Sequence, residues 1–363
     1  MNASADLSDE EACRYARQTV LAEVGEQGQA RLKSARVLII GIGGLGCPAA
    51  LYLAAAGIGT LGLMDADAVD LSNLQRQIIY TADDIGKPKV EAAGARLLAM
   101  NSHVDIRVHP EKFSAENAAR ILADYDVVLD GTDNFEAHYL INDACVMARK
   151  PLVWGNVERF AGQVGTVLPH QSACYRCLYP AAPPPGVAPA CDELGVLGPM
   201  PGIIGTIQAM EVLKLILQIG EPLDGRVLRM DALSSGFKEI KMNNDPNCTS
   251  CGSHAHTKLT ATETVCALPE VTADELRALM ASAHPPTLID VRNPDEHAAS
   301  SIPGARLIPL PELANRLGEL NSADDIILHC KLGGRSAKAL NLLKSNGFTH
   351  VRHLRGGITA YQA

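Results

Sequence analysis

The chain has 363 residues, 47% of them apolar and 20% charged, with a formal net charge of -9. That length suits roughly two or three domains with a large core, and the acidic balance excludes the basic footprint of a nucleic-acid binder. The longest apolar stretch, 203–219, is broken by Gln208, Glu211 and Lys214 and reads as too short and too charged to span a bilayer.

The N-terminal MNASADLSDEEACR is acidic and has no apolar h-region, so no secretory signal is read and a cytoplasmic location is expected. Over the first 150 or so residues, short apolar runs alternate with helical patterns. Strands are predicted at Arg36–Ile40, Thr60–Met64, 106–108 and 126–129, and helices at 45–56, Lys89–Met100 and 115–122, the last with Ser114 as N-cap. This alternation predicts an α/β fold with a mostly parallel sheet. PLVWGNV and GQVGTVL read as strands of a different sheet region, AAPPPGVAPACDELG as a crossing loop, and 203–218 as a buried helix. SHAHTKLTATETVCA (253–267) is polar and reads as a linker. A second α/β pattern follows over 268–363: a Thr272/Glu275 capping box, strands TLIDV and DIILHC, and a helix over 336–345 with Gly347 just past its end.

The first strand runs into GIGGLG, placing Gly41, Gly43, Gly44 and Gly46 between a strand and a helix. In that context the glycines allow a tight turn and let backbone approach a phosphate at a helix N-terminus. Asp65, nineteen residues beyond Gly46, stands where a ribose-binding carboxylate belongs. A dehydrogenase would fit so far. However, Asn73 and Arg76 follow in DADAVDLSNLQRQ, Lys87 and Lys89 in GKPKVE, and Asp133 and Asn134 in GTDN. Cations for phosphates and a carboxylate for Mg²⁺ describe a triphosphate site better than an apolar nicotinamide pocket.

RYARQ, GIGGLG, DADAVDLSNLQRQ, GKPKVE and GTDN occur in one order, followed by CYRC and CTSC. Over about 7–252 the chain resembles the ThiF/MoeB family, bacterial relatives of ubiquitin-activating enzymes. The resemblance implies a Rossmann-like ATP-binding domain over 1–252. That domain would adenylate the C-terminal Gly-Gly carboxylate of a small ubiquitin-like carrier protein. It implies Gly44 on the nucleotide, Asp65 on the ribose, and Ser72, Asn73, Leu74, Gln75 and Arg76 as a phosphate-binding turn. Lys89 falls on the phosphates, Asp133 on Mg²⁺ with Asn134 beside it, and Arg17 on the ATP of a partner subunit, so a homodimer is implied. Attack of one anion on another needs its charge neutralised, which Arg17, Arg76, Lys89 and Mg²⁺ would supply.

Ten cysteines without a secretory signal argue against a disulfide framework. Cys174 and Cys177 form one C-x-x-C pair and Cys248 and Cys251 another, with 70 residues between them. Two such knuckles predict a closed, structural Cys₄ zinc site. Cys191, in the proline-rich loop, resembles the cysteine that some relatives use for a thioester or acyl disulfide with the carrier. Cys47 is expected to pack on the helix behind the glycines.

Cys330 ends the strand IILHC and opens CKLGGRS. That turn can aim backbone N–H groups at the sulfur, and the helix N-terminus and Arg335 add positive potential, which would stabilise a thiolate or persulfide. LIDVRNPDEH, SIPGARLIP, HCKLGGRSAKA and LRGGITAY resemble the single-domain rhodaneses over about 268–363. The resemblance implies a persulfide on Cys330 and an anion-cradling loop from Lys331 to Arg335, and Asp290 and Arg292 match the family's DVR. In one departure the sequence stops soon after GGITAY, where relatives often continue, so a short last helix is expected.

Together the domains imply adenylation of a sulfur carrier and attack by the Cys330 persulfide to leave a thiocarboxylate. The persulfide donor would be a cysteine desulfurase or thiosulfate, and the pathway molybdopterin biosynthesis. Thiamin, cysteine and tRNA thiolation use the same chemistry. An NAD(P)-dependent oxidoreductase fused to a sulfurtransferase, and a scaffold with an inactive rhodanese, are the competing classes.

Overall fold

The computed structural model describes residues 7–181, 195–253, 255, 258–259, 269–283, 285–331 and 333–362. Its Cα packing separates two compact units, with described residues up to 259 in the first and those from 269 in the second.

The first unit is built on an eight-stranded sheet. Its strands are β1 (Arg36–Ile40), β2 (Thr60–Met64), β3 (Asp105–His109), β4 (Val127–Asp130), β5 (Leu152–Glu158), β6 (Ala161–Val167), β7 (Arg226–Asp231) and β8 (Gly236–Lys241), in the order β3-β2-β1-β4-β5-β6-β7-β8. The pairings from β3 through β5 are parallel, with Val37 beside both Leu61 and Val127. From β5 to β8 they are antiparallel. PLVWGNV and GQVGTVL therefore do not start a separate sheet region. They extend the same sheet, because a short turn after Glu158 lets β6 fold back directly on β5.

The alternating side chains of β1 explain its two-sided burial: Val37 and Ile39 enter one core cluster, and Leu38 and Ile40 the other. The helices Gly46–Ala56 and Pro199–Leu217 pack together on the first of these faces. The second of them begins four residues before the predicted 203, with Pro199 at its first turn, where a missing N–H costs nothing. At 19 residues it has the length and apolarity of a membrane span, contrary to the sequence expectation. Its buried Gln208 and Glu211 and its packing on β5 and β6 make it a core helix.

The predicted 115–122 helix runs over Ala118–Ala123 instead. Ser114 exchanges hydrogen bonds with Asn117 (2.9 and 3.4 Å), so it organises the turn before the helix rather than capping it.

The second unit has a five-stranded parallel sheet: β9 (Glu270–Val271), β10 (Thr287–Asp290), β11 (Arg306–Leu307), β12 (Ile326–His329) and β13 (Val351–Leu354), ordered β11-β10-β12-β13-β9. Ile326 and Leu328 face one apolar cluster and Ile327 the other. The Thr272/Glu275 capping box is present, starting the helix Ala273–Met280. The helix Gly334–Ser345 ends before Gly347, which takes φ +88°. The last helix, Gly357–Gln362, is short and buries Ile358.

Candidate functional site

The glycine loop sits at the C-terminal ends of β1 and β4, where the strand order reverses and open α/β sheets bind ligands. Three contacts explain its composition. Gly41 takes φ +87°, and a Cβ there would lie 2.9 Å from the Gly131 carbonyl. A Cβ on Gly46 would lie 2.0 Å from the Gly41 oxygen, so only glycine lets the helix start this close. A Cβ on Gly43 would meet only Gln77, at 3.8 Å, leaving room for a ligand.

Asp65, at the end of β2, accepts from Ile42 N–H in the glycine loop at 2.8 Å and from Asp67 N–H at 2.9 Å. Burial pushes its carboxyl above the usual range, while Lys89 and these N–H groups pull it back. Lys89, only 6% exposed, pairs with Asp67 at 2.8 Å and lies 3.9 Å from Asp65. Tyr80 Oη donates to the Ile42 carbonyl at 2.8 Å.

The predicted phosphate turn is a 3₁₀ turn over Leu71–Asn73, capped by Asp70, whose carboxylate accepts from Ser72 N–H at 2.8 Å. Ser72 and Gln75 are exposed, and Asn73, Leu74 and Arg76 half-buried. Arg76 bends back to donate to the Ser72 carbonyl at 3.0 Å, and its side chain passes Gly44. Gln75 meets the start of the Pro199–Leu217 helix, where a Cβ on Gly198 would lie 2.3 Å from the Gln75 carbonyl.

Asp133 is exposed, and Asn134 caps the helix Phe135–Met147 by accepting from Ala137 N–H at 2.9 Å. Asn134 thus has a structural task that its motif did not reveal. Arg17 is exposed on a short helix held by its neighbours, with Gln18 donating to Gln29 at 2.7 Å and to the Ala56 carbonyl at 3.1 Å. The structure brings Asp65, Lys89, Arg76 and the glycine loop together around one strand-end crevice.

Cys174, Cys177, Cys248 and Cys251 place their sulfurs within 4.8 Å of one another. The closest pairs, Cys177–Cys251 at 3.4 Å and Cys174–Cys248 at 3.6 Å, lie near the ~3.8 Å edge of a tetrahedron with ~2.3 Å metal–sulfur bonds. Backbone N–H groups of Asp245 and Ser250 point at Cys177 and Cys248, each at 3.5 Å. Such a cluster can hold a metal ion. Burial raises the Cys174 and Cys251 thiols, the latter to about 12, and a cation would reverse that preference. Asn142 supports the cluster, accepting from Tyr175 N–H at 2.9 Å and donating to Ser250 Oγ at 3.1 Å.

Cys47 is fully buried, its thiol pushed up to about 12 by burial. Cys191 lies outside the described residues.

In the second unit, Cys330 follows β12 and is 2% exposed. Its sulfur accepts from Gly333 N–H at 3.1 Å and lies 3.6 Å from Ser336 Oγ. The last helix closes the other side, with Ile358 N–H donating to the Cys330 carbonyl at 2.8 Å. Arg335 does not stand as a bare positive charge beside the sulfur. It forms a two-pronged pair with Glu296 at 2.6 and 2.7 Å and holds that carboxyl down at about 2. Asp290 accepts from Arg292 (2.9 and 2.6 Å) and lies 2.8 Å from His297 Nδ1. Burial opposes its ionisation, yet these partners hold it at about 2. Glu296 and Ser336 escaped the sequence reading, since a Glu or Ser in a helix signals nothing by itself.

The ThiF family model matches residues 15–250, and the rhodanese-like domain model matches 272–363. A protein of Mycobacterium tuberculosis named probable adenylyltransferase/sulfurtransferase MoeZ is 42% identical over 98% of this chain and 94% of its own. Adenylyltransferase and sulfurtransferase MOCS3 of Culex quinquefasciatus is 37% identical over 99% and 89%. A sulfur carrier protein adenylyltransferase of Thermus thermophilus is 46% identical over 67% and 92%. Among solved structures, E. coli MccB with MccA-N7isoASN superposes with a TM-score of 0.60 at 24% identity, covering 70% of this chain and 77% of that one.

Proposed function

We propose a reaction for this chain from one premise: it belongs to the ThiF family and carries a rhodanese-like domain after it. It is an adenylyltransferase with sulfurtransferase activity. Residues 1–252 adenylate the C-terminal Gly-Gly carboxylate of a small ubiquitin-like sulfur carrier. Residues 268–363 supply the sulfur. The observation that carries this reading is the gathering of the glycine loop, Asp65, Arg76 and Lys89 at the strand-order reversal.

The carrier carboxylate attacks the α-phosphorus of ATP, and pyrophosphate leaves. Asp65 takes the ribose, exchanging the Ile42 and Asp67 amides for hydroxyls. Lys89 and Arg76 turn from Asp67 and the Ser72 carbonyl towards phosphate oxygens. Arg17 of each subunit reaches the ATP of the other in a homodimer, and the exposed Val20 and Leu21 beside it suit an interface. Asp133 is an exposed carboxylate at a strand end, a donor suited to Mg²⁺ alongside phosphate oxygens. When bound, that ion screens the charge on the phosphates. Zn²⁺ is the ion for the four thiolates, which leave no open position and give it a structural task.

The terminal sulfur of a Cys330 persulfide then attacks the acyl carbon, and AMP leaves. Cleavage of the resulting acyl disulfide, with Cys191 as the thiol reductant, releases the thiocarboxylate. The persulfide is loaded by a cysteine desulfurase or from thiosulfate. Molybdopterin biosynthesis is the pathway proposed; the alternative is the same chemistry serving thiamin, cysteine or tRNA thiolation. The site is placed in the cytoplasm with its carriers.

The test is incubation with ATP, Mg²⁺, a persulfide source and candidate Gly-Gly carriers, read by intact carrier mass. Cys330→Ala should still exchange pyrophosphate into ATP yet make no thiocarboxylate. Asp133→Ala should abolish exchange with the fold intact. Thiocarboxylate made by Cys330→Ala at the wild-type rate would sink the sulfur-transfer step.

A further inference from the structure

Behind the turn that carries Asp133 lies an ion pair that the reaction above leaves unused. Asp130 ends β4, and His138 lies in the first turns of the helix Phe135–Met147. They are 0% and 4% exposed, with His138 Nδ1 2.6 Å from Asp130 Oδ2. An ionised carboxylate only accepts, so Nδ1 is the nitrogen that carries the proton. The second oxygen, Oδ1, accepts from Thr132 N–H at 3.0 Å and Thr132 Oγ1 at 2.7 Å. The Asp130 carbonyl accepts from Gln208 Nε2 at 2.7 Å. Gly131, between them, packs against the glycine loop so closely that a Cβ would lie 2.7 Å from the Gly41 oxygen. On the far side, Asn134 is fixed as a helix cap. Asp133 is the residue between these two anchors.

We propose that His138 is a positioning residue for the adenylation reaction: through Asp130 and Thr132 it fixes the turn from which Asp133 meets the magnesium–phosphate group. The inference rests on the assignment of Asp133 made above. A buried pair of this kind contributes little net stability, but it leaves the Asp130 carboxylate one orientation. Burial lowers the imidazole most, and the charge and hydrogen bond of Asp130 together with the charge of Asp133 raise it overall. The ring of His138 also lies 5.6 Å from that of Tyr175, so it is held in place by packing as well. Groups hydrogen-bonded to a metal ligand typically change metal affinity or activity by about 10–100-fold when removed, which sets the upper bound for His138, one step further out.

The experiment compares His138→Leu, which removes the donor, with His138→Asn, whose Nδ2 can occupy the place of Nδ1. Pyrophosphate exchange is measured against ATP and Mg²⁺, and Mn²⁺ binding with a non-hydrolysable ATP analogue is followed by electron paramagnetic resonance. Circular dichroism checks the fold of each variant. His138→Leu should lose up to about 10–100-fold in turnover and bind Mn²⁺ more weakly, with the KM for ATP little changed, while His138→Asn recovers most of both. Thr132→Val, which removes one of the two Thr132 bonds and leaves the ion pair, should show a smaller loss of the same kind and stands in if His138→Leu does not fold. Wild-type Mn²⁺ binding and exchange in folded His138→Leu, or equal impairment of His138→Asn, would overturn the proposal. Asp133→Ala separates the two readings. If it exchanges normally, the Asp133 assignment itself fails; if it is dead while His138→Leu is normal, only the positioning role fails.

Discussion

His329, the last residue of β12, sits immediately before Cys330 with its ring fully buried. Neither ring nitrogen has a hydrogen-bond partner among the described residues, and Asp290 Oδ2 is 3.8 Å away. Burial lowers its pKa from the ordinary 6.5 to about 4. The unfolded chain therefore binds a proton between these values that the folded chain refuses. The contribution of His329 to stability is fully present above pH 6.5 and is lost as the pH drops towards 4, on the order of 3 kcal/mol in all. His329→Leu should flatten this slope in denaturant unfolding of the second unit; an unchanged slope would show that another group titrates there. The sequence IILHC marked a buried strand and a reactive sulfur but not this histidine's burden. Burial of a polar ring depends on what lies across the sheet. The same limit hid the Asp130–His138 pair: they flank the GTDN motif that pointed at Asp133, and only their distance reveals their partnership.

The helix Pro199–Leu217 shows how one element fixes the nucleotide crevice. Its Gly205 lies against the helix behind the glycine loop, where a Cβ would be 2.3 Å from the Leu45 carbonyl and 2.8 Å from Pro48. Gly202, one turn earlier, has nothing within 4 Å of its would-be Cβ. Gly205→Ala should therefore force the helices apart and cost about 1–3 kcal/mol. Gly202→Ala should be neutral or stabilise by up to about 1 kcal/mol through helix propensity. Denaturation midpoints of the two variants check the contrast; equal behaviour would mean that the contact at Gly205 yields freely. The apolar run of this helix was legible in the sequence. Its start was not, because Gly198, Pro199 and Pro201 look like loop residues until Pro199 is seen to occupy a first helical turn. The parallel strands β1 to β5, β10 and β12 were legible to within a residue from their apolar runs, whereas the two-residue β9 and β11 and the strand β13 were not read. The helix Phe135–Met147 was not, since it is buried nearly all round and shows no clear amphipathic stripe.

At the scale of the whole molecule, the two units keep separate cores, and the four-cysteine cluster lies wholly in the first. The full-length protein should carry about one zinc per chain, and its removal should destabilise the first unit alone. In a thermal scan, a strong chelator should lower one transition and leave the other in place. A single shared shift, or a folded protein without metal, would contradict this. The two C-x-x-C pairs were readable from spacing, because a metal imposes a short, repeated pattern on any fold. The crevice was readable only through its motifs. The pairing of Arg335 with Glu296 and of Lys89 with Asp67 joins residues far apart in the chain, and no local pattern encodes it.

The cysteine cluster also changes what a break in the chain would mean. Cys177 and Cys248 bracket 70 residues, and β6 and β7 pair antiparallel, one before that span and one within it. A protease cut between 178 and 225 would end the covalent continuity of the polypeptide without releasing either piece. With a metal ion held by the cluster, four sulfur–metal bonds and a seam of backbone hydrogen bonds would rivet the halves together. They would travel as one particle until the metal was stripped and the sheet unfolded.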